Sequence, residues 1–198
     1  MKARHLVLLF AGVAVAVALG LVAGRYLLPS QQQTAGVGTA AIGGPFTLLD
    51  QTGRQVSEAD YAGRYLLVYF GYTYCPDVCP TELQTMTEAL DLLGADAAPL
   101  QPLFITIDPE RDTVDEMASY MANFHDRFVG LTGNPQDVAA AAKTYRVYVA
   151  KGEVDSDGAY LMDHSSFIYL MGPDGRYLTH FGPRTPPQEM ADRIRSFL

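Results

Sequence analysis

The chain is 198 residues long, 48% hydrophobic, 18% charged and without tryptophan, which fits one globular domain plus an apolar segment. Three of its 14 Lys and Arg lie in the first 25 residues while all 22 Asp and Glu lie beyond Pro29, so 11 bases face 22 acids and the remainder carries −11. A surface of that sign argues against a nucleic-acid partner, which needs a basic footprint; it attracts cationic partners or metal ions, or simply keeps the domain soluble.

Residues 1–5 are followed by an uncharged run from Leu6 to Gly24, and its roughly 19 residues match what one helix needs to cross a bilayer. A cleaved signal peptide is the competing reading, but its apolar region spans only about 7 to 15 residues. Small-residue combinations such as Ala18-Leu19-Gly20 also lie inside the run rather than after it. The expectation is an uncleaved, single transmembrane helix over residues 6–28. Lys2, Arg4 and the terminal amine precede the span and only Arg25 follows it closely, which places residues 1–5 in the cytoplasm and the rest outside. With no Arg- and Ser-rich presequence, the expected location is a bacterial inner membrane with the soluble domain facing the periplasm.

Residues 29–44 shift to Gln, Ala, Gly, Thr and Ser without an aromatic residue and read as a flexible tether. The domain proper is expected over residues 45–198. Phe46 to Leu49, the turn residues Asp50-Gln51-Thr52-Gly53 and Arg54 to Val56 predict a small N-terminal β-hairpin. Tyr65 to Phe70 is a continuous apolar, β-rich run, as expected of a strand buried on both faces. From Pro80 onward, Leu83, Met86, Leu90 and Leu93 recur at helical spacing, and Gly94 stops the helix.

A second buried strand is expected over Pro102 to Ile107, followed by Asp108-Pro109-Glu110-Arg111-Asp112. Thr113 with Glu116 makes a capping box for a helix whose apolar face is Val114, Met117, Ala118 and Met121. Phe128 to Leu131 reads as a short strand, and Asn134-Pro135 opens a helix to about Ala142. Arg146 to Val149 reads as extended and Lys151 to Gly158 as an acidic loop. Ser166 to Met171, the turn Gly172-Pro173-Asp174-Gly175 and Arg176 to Phe181 form the clearest hairpin. A last helix presents Met190, Ile194, Phe197 and Leu198 as its apolar face. This order, with parallel strands joined by crossovers and a closing antiparallel hairpin, is an α/β, thioredoxin-like layout.

Both cysteines of the chain lie in Gly71-Tyr72-Thr73-Tyr74-Cys75-Pro76-Asp77-Val78-Cys79-Pro80, between the first buried strand and its helix. Pro80 suits the first helical position, which would leave both thiols in the preceding turn, where a helix N-terminus favours thiolate. Two thiols so close can close a disulfide, act as a redox pair or hold a soft metal. A disulfide over so short a loop removes little chain entropy, so a purely structural role is disfavoured. Dithiol exchangers use Cys-x-x-Cys; the wider Cys-x-x-x-Cys spacing weakens that reading without removing it.

Of the four histidines, His5 flanks the apolar run, His125 reads as a solvated helix end and His180 as packing or surface. His164 stands apart, because Tyr160 to Ser166 enters the hairpin strand whose start abuts the reactive turn in such a sheet. Met162 shares its strand face by alternation and reads as core packing. Asp163 either orients the imidazole or faces solvent. Asp108, Glu110 and Asp112 are explained by the helix that opens at Thr113.

Together, the cysteine segment, Ile107-Asp108-Pro109-Glu110-Arg111-Asp112-Thr113 and Asp163-His164-Ser165 resemble the three motifs of the Sco/SenC family of membrane-anchored, thioredoxin-fold copper-binding proteins. The first lies close to that family's G-x-T-x-C-P-D-x-C-P pattern, and the three fall in the family's order. The resemblance implies copper bound by Cys75, Cys79 and His164, for delivery to the dinuclear copper centre of cytochrome c oxidase subunit II. The alternative that it implies is reduction of the cysteines of that centre by the pair Cys75 and Cys79; a copper- or redox-sensing role is compatible with the same residues. Another envelope copper chaperone and a thioredoxin-like reductant are further partners on this reading. Ligand chemistry agrees: two thiolates suit Cu(I), an added imidazole also allows Cu(II), and structural zinc would want a fourth protein ligand.

Overall fold

The computed structural model describes residues 42–198. The expected membrane helix and nearly all of the tether lie outside the described residues, among which no helix is long and apolar enough to cross a membrane. Ile42 packs on the core and the Gly43 N–H donates to the Thr144 carbonyl at 2.9 Å, so the folded unit takes in the last residues assigned to the tether.

Among the described residues nine strands and four α-helices follow in order: β1 (Thr47–Asp50), β2 (Gln55–Ser57), β3 (Tyr65–Gly71), α1 (Val78–Leu93), β4 (Leu100–Thr106), α2 (Val114–Met121), β5 (Val129–Thr132), α3 (Pro135–Thr144), β6 (Val149–Lys151), β7 (Met162–His164), β8 (Ile168–Met171), β9 (Tyr177–Phe181) and α4 (Pro187–Arg195). Seven strands form one sheet in the order β2-β1-β5-β4-β3-β8-β9. β3, β4 and β5 run parallel, while β8 joins β3 and β1 joins β5 antiparallel. This is the thioredoxin-like α/β arrangement expected, with its N-terminal hairpin.

The centre of the sheet follows from the two apolar runs. Leu67, Val68, Phe70, Leu103, Phe104 and Ile105 are completely buried, each contributing roughly 1.5–3 kcal/mol relative to exposure. Layers on both faces demand such runs, because neither face of a central strand meets water. β3 and β4 pair in register from Tyr65 with Leu100 to Gly71 with Thr106, so both end level. The Ile107 N–H then donates to the Gly71 carbonyl at 2.8 Å, holding the two exits together. Thus the loop carrying the cysteines and the loop carrying Asp108 to Thr113 leave the same lip of the sheet.

Helix α1 buries Leu83, Met86, Leu90 and Leu93, the expected face, and packs against α4. Thr113 caps α2 by accepting the Glu116 N–H, and Asn134 caps α3 by accepting the Asp137 N–H. Each such cap contributes about 1 kcal/mol by satisfying a donor the helix leaves open.

Three expectations are corrected. Pro80 is the third helical residue, so Cys79 lies inside the first turn of α1 rather than before it. A proline is tolerated there because the first-turn N–H groups have no intrahelical acceptor to lose. Secondly, His164 does not open a strand of the main hairpin: it ends β7, which pairs with β6 in a separate two-stranded ribbon, Val149 opposite His164. Finally, α4 ends at Arg195, leaving Phe197 and Leu198 37% and 43% exposed while Met190, Ala191 and Ile194 carry its buried face.

Candidate metal centre

Cys75 is half-buried and Cys79 is fully buried, and neither is in a disulfide. Asp77 occupies the N-cap of α1 but its side chain caps nothing. The Cys75 sulfur does this work instead, accepting the Cys79 N–H at 3.3 Å. A sulfur held at the positive end of a helix is stabilised as thiolate.

The Cys79 sulfur lies 3.5 Å from Nε2 of His164. Nδ1 of the same ring is 2.9 Å from the Ser165 carbonyl. A carbonyl only accepts, so Nδ1 carries the proton and Nε2 offers its lone pair toward the sulfur. Cys79 therefore bonds both other members of the trio, Cys75 through its N–H and His164 through its sulfur. Among the described residues no three His, Cys, Asp or Glu side chains are gathered closely enough to hold a metal ion.

The two thiols titrate apart. Cys75 is held far below the ordinary thiol value, first by the hydrogen bond from Cys79, then by His164 and by the N–H groups of Asp77 and Cys79, against burial. Cys79 is pushed far above it by its bond to Cys75, by burial and by the Cys75 charge. One charge is thus shared unevenly: the half-exposed sulfur is thiolate and the buried one keeps the proton.

Four neighbours shape the site. An added Cβ on Gly71 would lie 2.9 Å from the Cys79 sulfur and 2.8 Å from the Phe104 ring, so only glycine leaves the sulfur its place. Tyr69 and Tyr72 set their rings edge-on to His164, with centroids 6.3 and 6.2 Å away. The Tyr72 hydroxyl also accepts the Met162 N–H at 3.2 Å, tying the cysteine loop to β7. Met162 is partly buried against the core, and Asp163 is exposed on the opposite face of the ribbon, away from the imidazole's satisfied Nδ1.

The acidic residues after β4 have roles that the helix start does not explain. Asp112 is completely buried and accepts from the Thr73 N–H at 3.1 Å, the Thr73 hydroxyl at 2.6 Å and the Thr106 hydroxyl at 2.6 Å. It anchors the cysteine loop to the neighbouring strand end. Burial raises its titration above the usual carboxylate value, against those hydrogen bonds. Asp108 pairs with Arg111 at 2.5 Å and accepts from the Tyr160 hydroxyl at 2.9 Å. The sequence signal that could have revealed Asp112 is the set of hydroxyls at Thr106 and Thr132, which end otherwise apolar strands, and at Thr73, two residues beyond the end of β3. His125, near Asp91 and Asp126, and His180, bonded to Tyr177, take no part.

The fold and this donor set define a thioredoxin-like domain built around a thiolate and imidazole centre. The SCO1/SenC family model matches residues 34–198, and the chain belongs to that family. It is 43% identical to the human mitochondrial protein SCO2 homolog over 180 residues, covering 89% of this chain and 68% of that one. The bovine counterpart is 44% identical over 168 residues, which span 83% of this chain and 63% of the bovine protein. Among solved structures, copper-bound ScoI of Bradyrhizobium japonicum superposes with a TM-score of 0.74 at 44% identity, over 80% of this chain and all of that one. BsSco, described as a member of the Sco family of cytochrome c oxidase assembly proteins and as carrying a disulfide switch, superposes with a TM-score of 0.64 at 27% identity, covering 80% and 94%.

Proposed function

We propose that this protein is a copper chaperone of cytochrome c oxidase assembly that takes up one copper ion through Cys75, Cys79 and His164. Its destination is the dinuclear copper centre of subunit II. The observation that carries the reading is Cys79, which bonds Cys75 on one side and His164 on the other in a chain 44% identical to a copper-bound relative. Two sulfurs satisfy soft Cu(I) and the imidazole extends the set to Cu(II), while three donors leave room for an acceptor protein's ligand. A three-donor set holds a cargo; a structural zinc site would close with a fourth. The expected transmembrane helix over residues 6–28 would hold the domain on the outer side of a bacterial inner membrane.

Anaerobic titration of the chain with Cu(I) and Cu(II) tests this. One ion per chain is expected, with affinity lost in Cys75→Ser and Cys79→Ser; unchanged affinity in those variants and in His164→Ala would sink the ligand set.

A second reading is favoured by one observation, the pairing of an accessible thiolate at Cys75 with a buried, protonated Cys79. Such a pair can attack a partner's disulfide and then resolve the mixed disulfide. Deleting the protein and measuring oxidase copper loading separates the two: rescue by added copper favours delivery, and rescue by an added thiol reductant alone favours reduction.

A further inference from the structure

The sulfurs and the imidazole arrive from parts of the chain some 90 residues apart, and Arg111 reaches toward both. Its Nε binds the buried Asp108 carboxylate at 2.5 Å and its Nη1 donates to the Tyr160 carbonyl at 3.1 Å. The guanidinium carbon lies 3.6 Å from the centroid of the Tyr160 ring, 4.7 Å from that of Tyr74 and 5.8 Å from that of Tyr72. Tyr72 and Tyr74 belong to the cysteine loop, Tyr74 being the residue before Cys75. Tyr160 belongs to the segment that delivers β7, two residues before Met162 and four before His164.

Tyr160 is fixed at both ends, its carbonyl by Arg111 and its hydroxyl by Asp108. A second cation, Lys151 on β6, stands 3.8 Å from the same ring and pairs with Glu110 at 3.1 Å. Both strands of the ribbon are therefore clasped to the loop after β4. That loop in turn is bound to the cysteine loop through Asp112 and Thr73. A planar guanidinium lies flat on a ring while its rigid fork of donors bonds two separate acceptors, here Asp108 and the Tyr160 carbonyl, a geometry that the point charge of a lysine does not reproduce.

Resting on the ligand set proposed above, we propose that Arg111 is a positioning residue that sets His164 against the cysteine pair by clasping Tyr160. It touches no metal donor itself. The β6–β7 ribbon has only three residues per strand and is not paired with the main sheet, so strand pairing alone does not fix where the imidazole stands. The clasp supplies that register.

The test is copper titration of the full chain carrying Arg111→Lys, Tyr160→Leu, His164→Ala, or Arg111→Lys with His164→Ala. Tyr160 is half-buried and outside the hydrophobic core, so its variant keeps the test open if Arg111→Lys, which leaves Asp108 less well paired, folds poorly. Loss of a residue that orients a ligand typically weakens metal binding by about 10–100-fold, and that is the expected loss for Cu(II) in both single variants. Cu(I), satisfied by the two sulfurs, should stay near wild type. The double variant should bind Cu(II) no more weakly than His164→Ala alone. Without any metal, amide exchange across residues 152–161 should quicken in both clasp variants. Equal loss of both ions, additivity in the double variant, or unchanged exchange would overturn the inference. Loss of Cu(II) in His164→Ala but in neither clasp variant overturns the inference alone, whereas full Cu(II) affinity in His164→Ala overturns the ligand set and the inference with it.

Discussion

Gly71 and Cys79 occupy the same space: the sulfur sits where a side chain on residue 71 would begin, 2.9 Å from an ideal Cβ. The end of β3 is therefore cut to fit the thiol. Gly71→Ala should push Cys79 off Nε2 of His164 and strain the Phe104 ring, costing about 1–3 kcal/mol as overpacking does. Denaturant melts measure the loss, and a copper titration should show weakened binding; a variant with wild-type values on both would refute this account of the glycine.

The Cys75 thiolate should be visible chemically. Because its titration is shifted below the ordinary thiol range, lowering the pH leaves it charged where an ordinary thiol is already protonated. An ordinary thiol with a value of about 8.5 loses roughly tenfold in alkylation rate per pH unit below it. The reduced chain should instead alkylate at Cys75 first, with a rate nearly flat through mildly acidic pH, read by peptide mass spectrometry. A tenfold fall per unit, or preferential labelling of Cys79, would contradict the assignment.

Glu82 offers a pH test of stability. It is 1% exposed; one carboxylate oxygen accepts the Arg184 N–H at 2.8 Å and the other is buried with no partner among the described residues. Burial raises its titration above the ordinary 4.5. A raised carboxyl binds its proton more tightly folded than unfolded, so its favourable contribution is full below about pH 4.5 and disappears as pH climbs through the folded value. The melting temperature of Glu82→Gln minus that of the native chain should therefore grow between pH 4 and about pH 7, the sign expected from linkage. A difference that is flat or shrinks contradicts this.

Asp112 should hold the cysteine loop. Asp112→Asn substitutes a donor for one acceptor in a pocket that presents three donors, and an unsatisfied buried group costs about 1–3 kcal/mol. Urea unfolding should show that loss, and Cys79 should alkylate faster in the variant as Thr73 comes free. Unchanged stability together with unchanged Cys79 labelling would mean that the loop is held by other contacts.

Much of this was legible in the sequence where the signal is local. β3 and β4 announce themselves because strands buried on both faces need unbroken apolar runs, and Thr113 and Asn134 mark their helices because caps act within three residues. The β6–β7 ribbon gave no such signal: three-residue strands with one exposed side carry too few residues to show a period. The position of Cys79 is not legible because a proline is allowed anywhere in a helix's first turn, so Pro80 marks the turn without fixing its first residue. In sequence Asp112 looks only like a complement to a helix dipole, because its partners, Thr73 and Thr106, are distant along the chain and adjacent only through the level ends of β3 and β4. His164 drew notice by position but gained a ligand role only through the family resemblance, since nothing local distinguishes it from a structural histidine.

The separation of the β6–β7 ribbon from the seven-stranded sheet makes the three proposed donors mechanically unequal. Both sulfurs are set in the rigid body of the fold, at the root of α1 and the lip of β3, where displacement means disturbing the core. The nitrogen stands on a ribbon of two three-residue strands outside that sheet. Its mounting is therefore borrowed: the sulfurs take their footing from the core, whereas the imidazole takes its own from a few side-chain struts, Arg111 on Tyr160, Lys151 on Glu110 and Tyr72 on Met162.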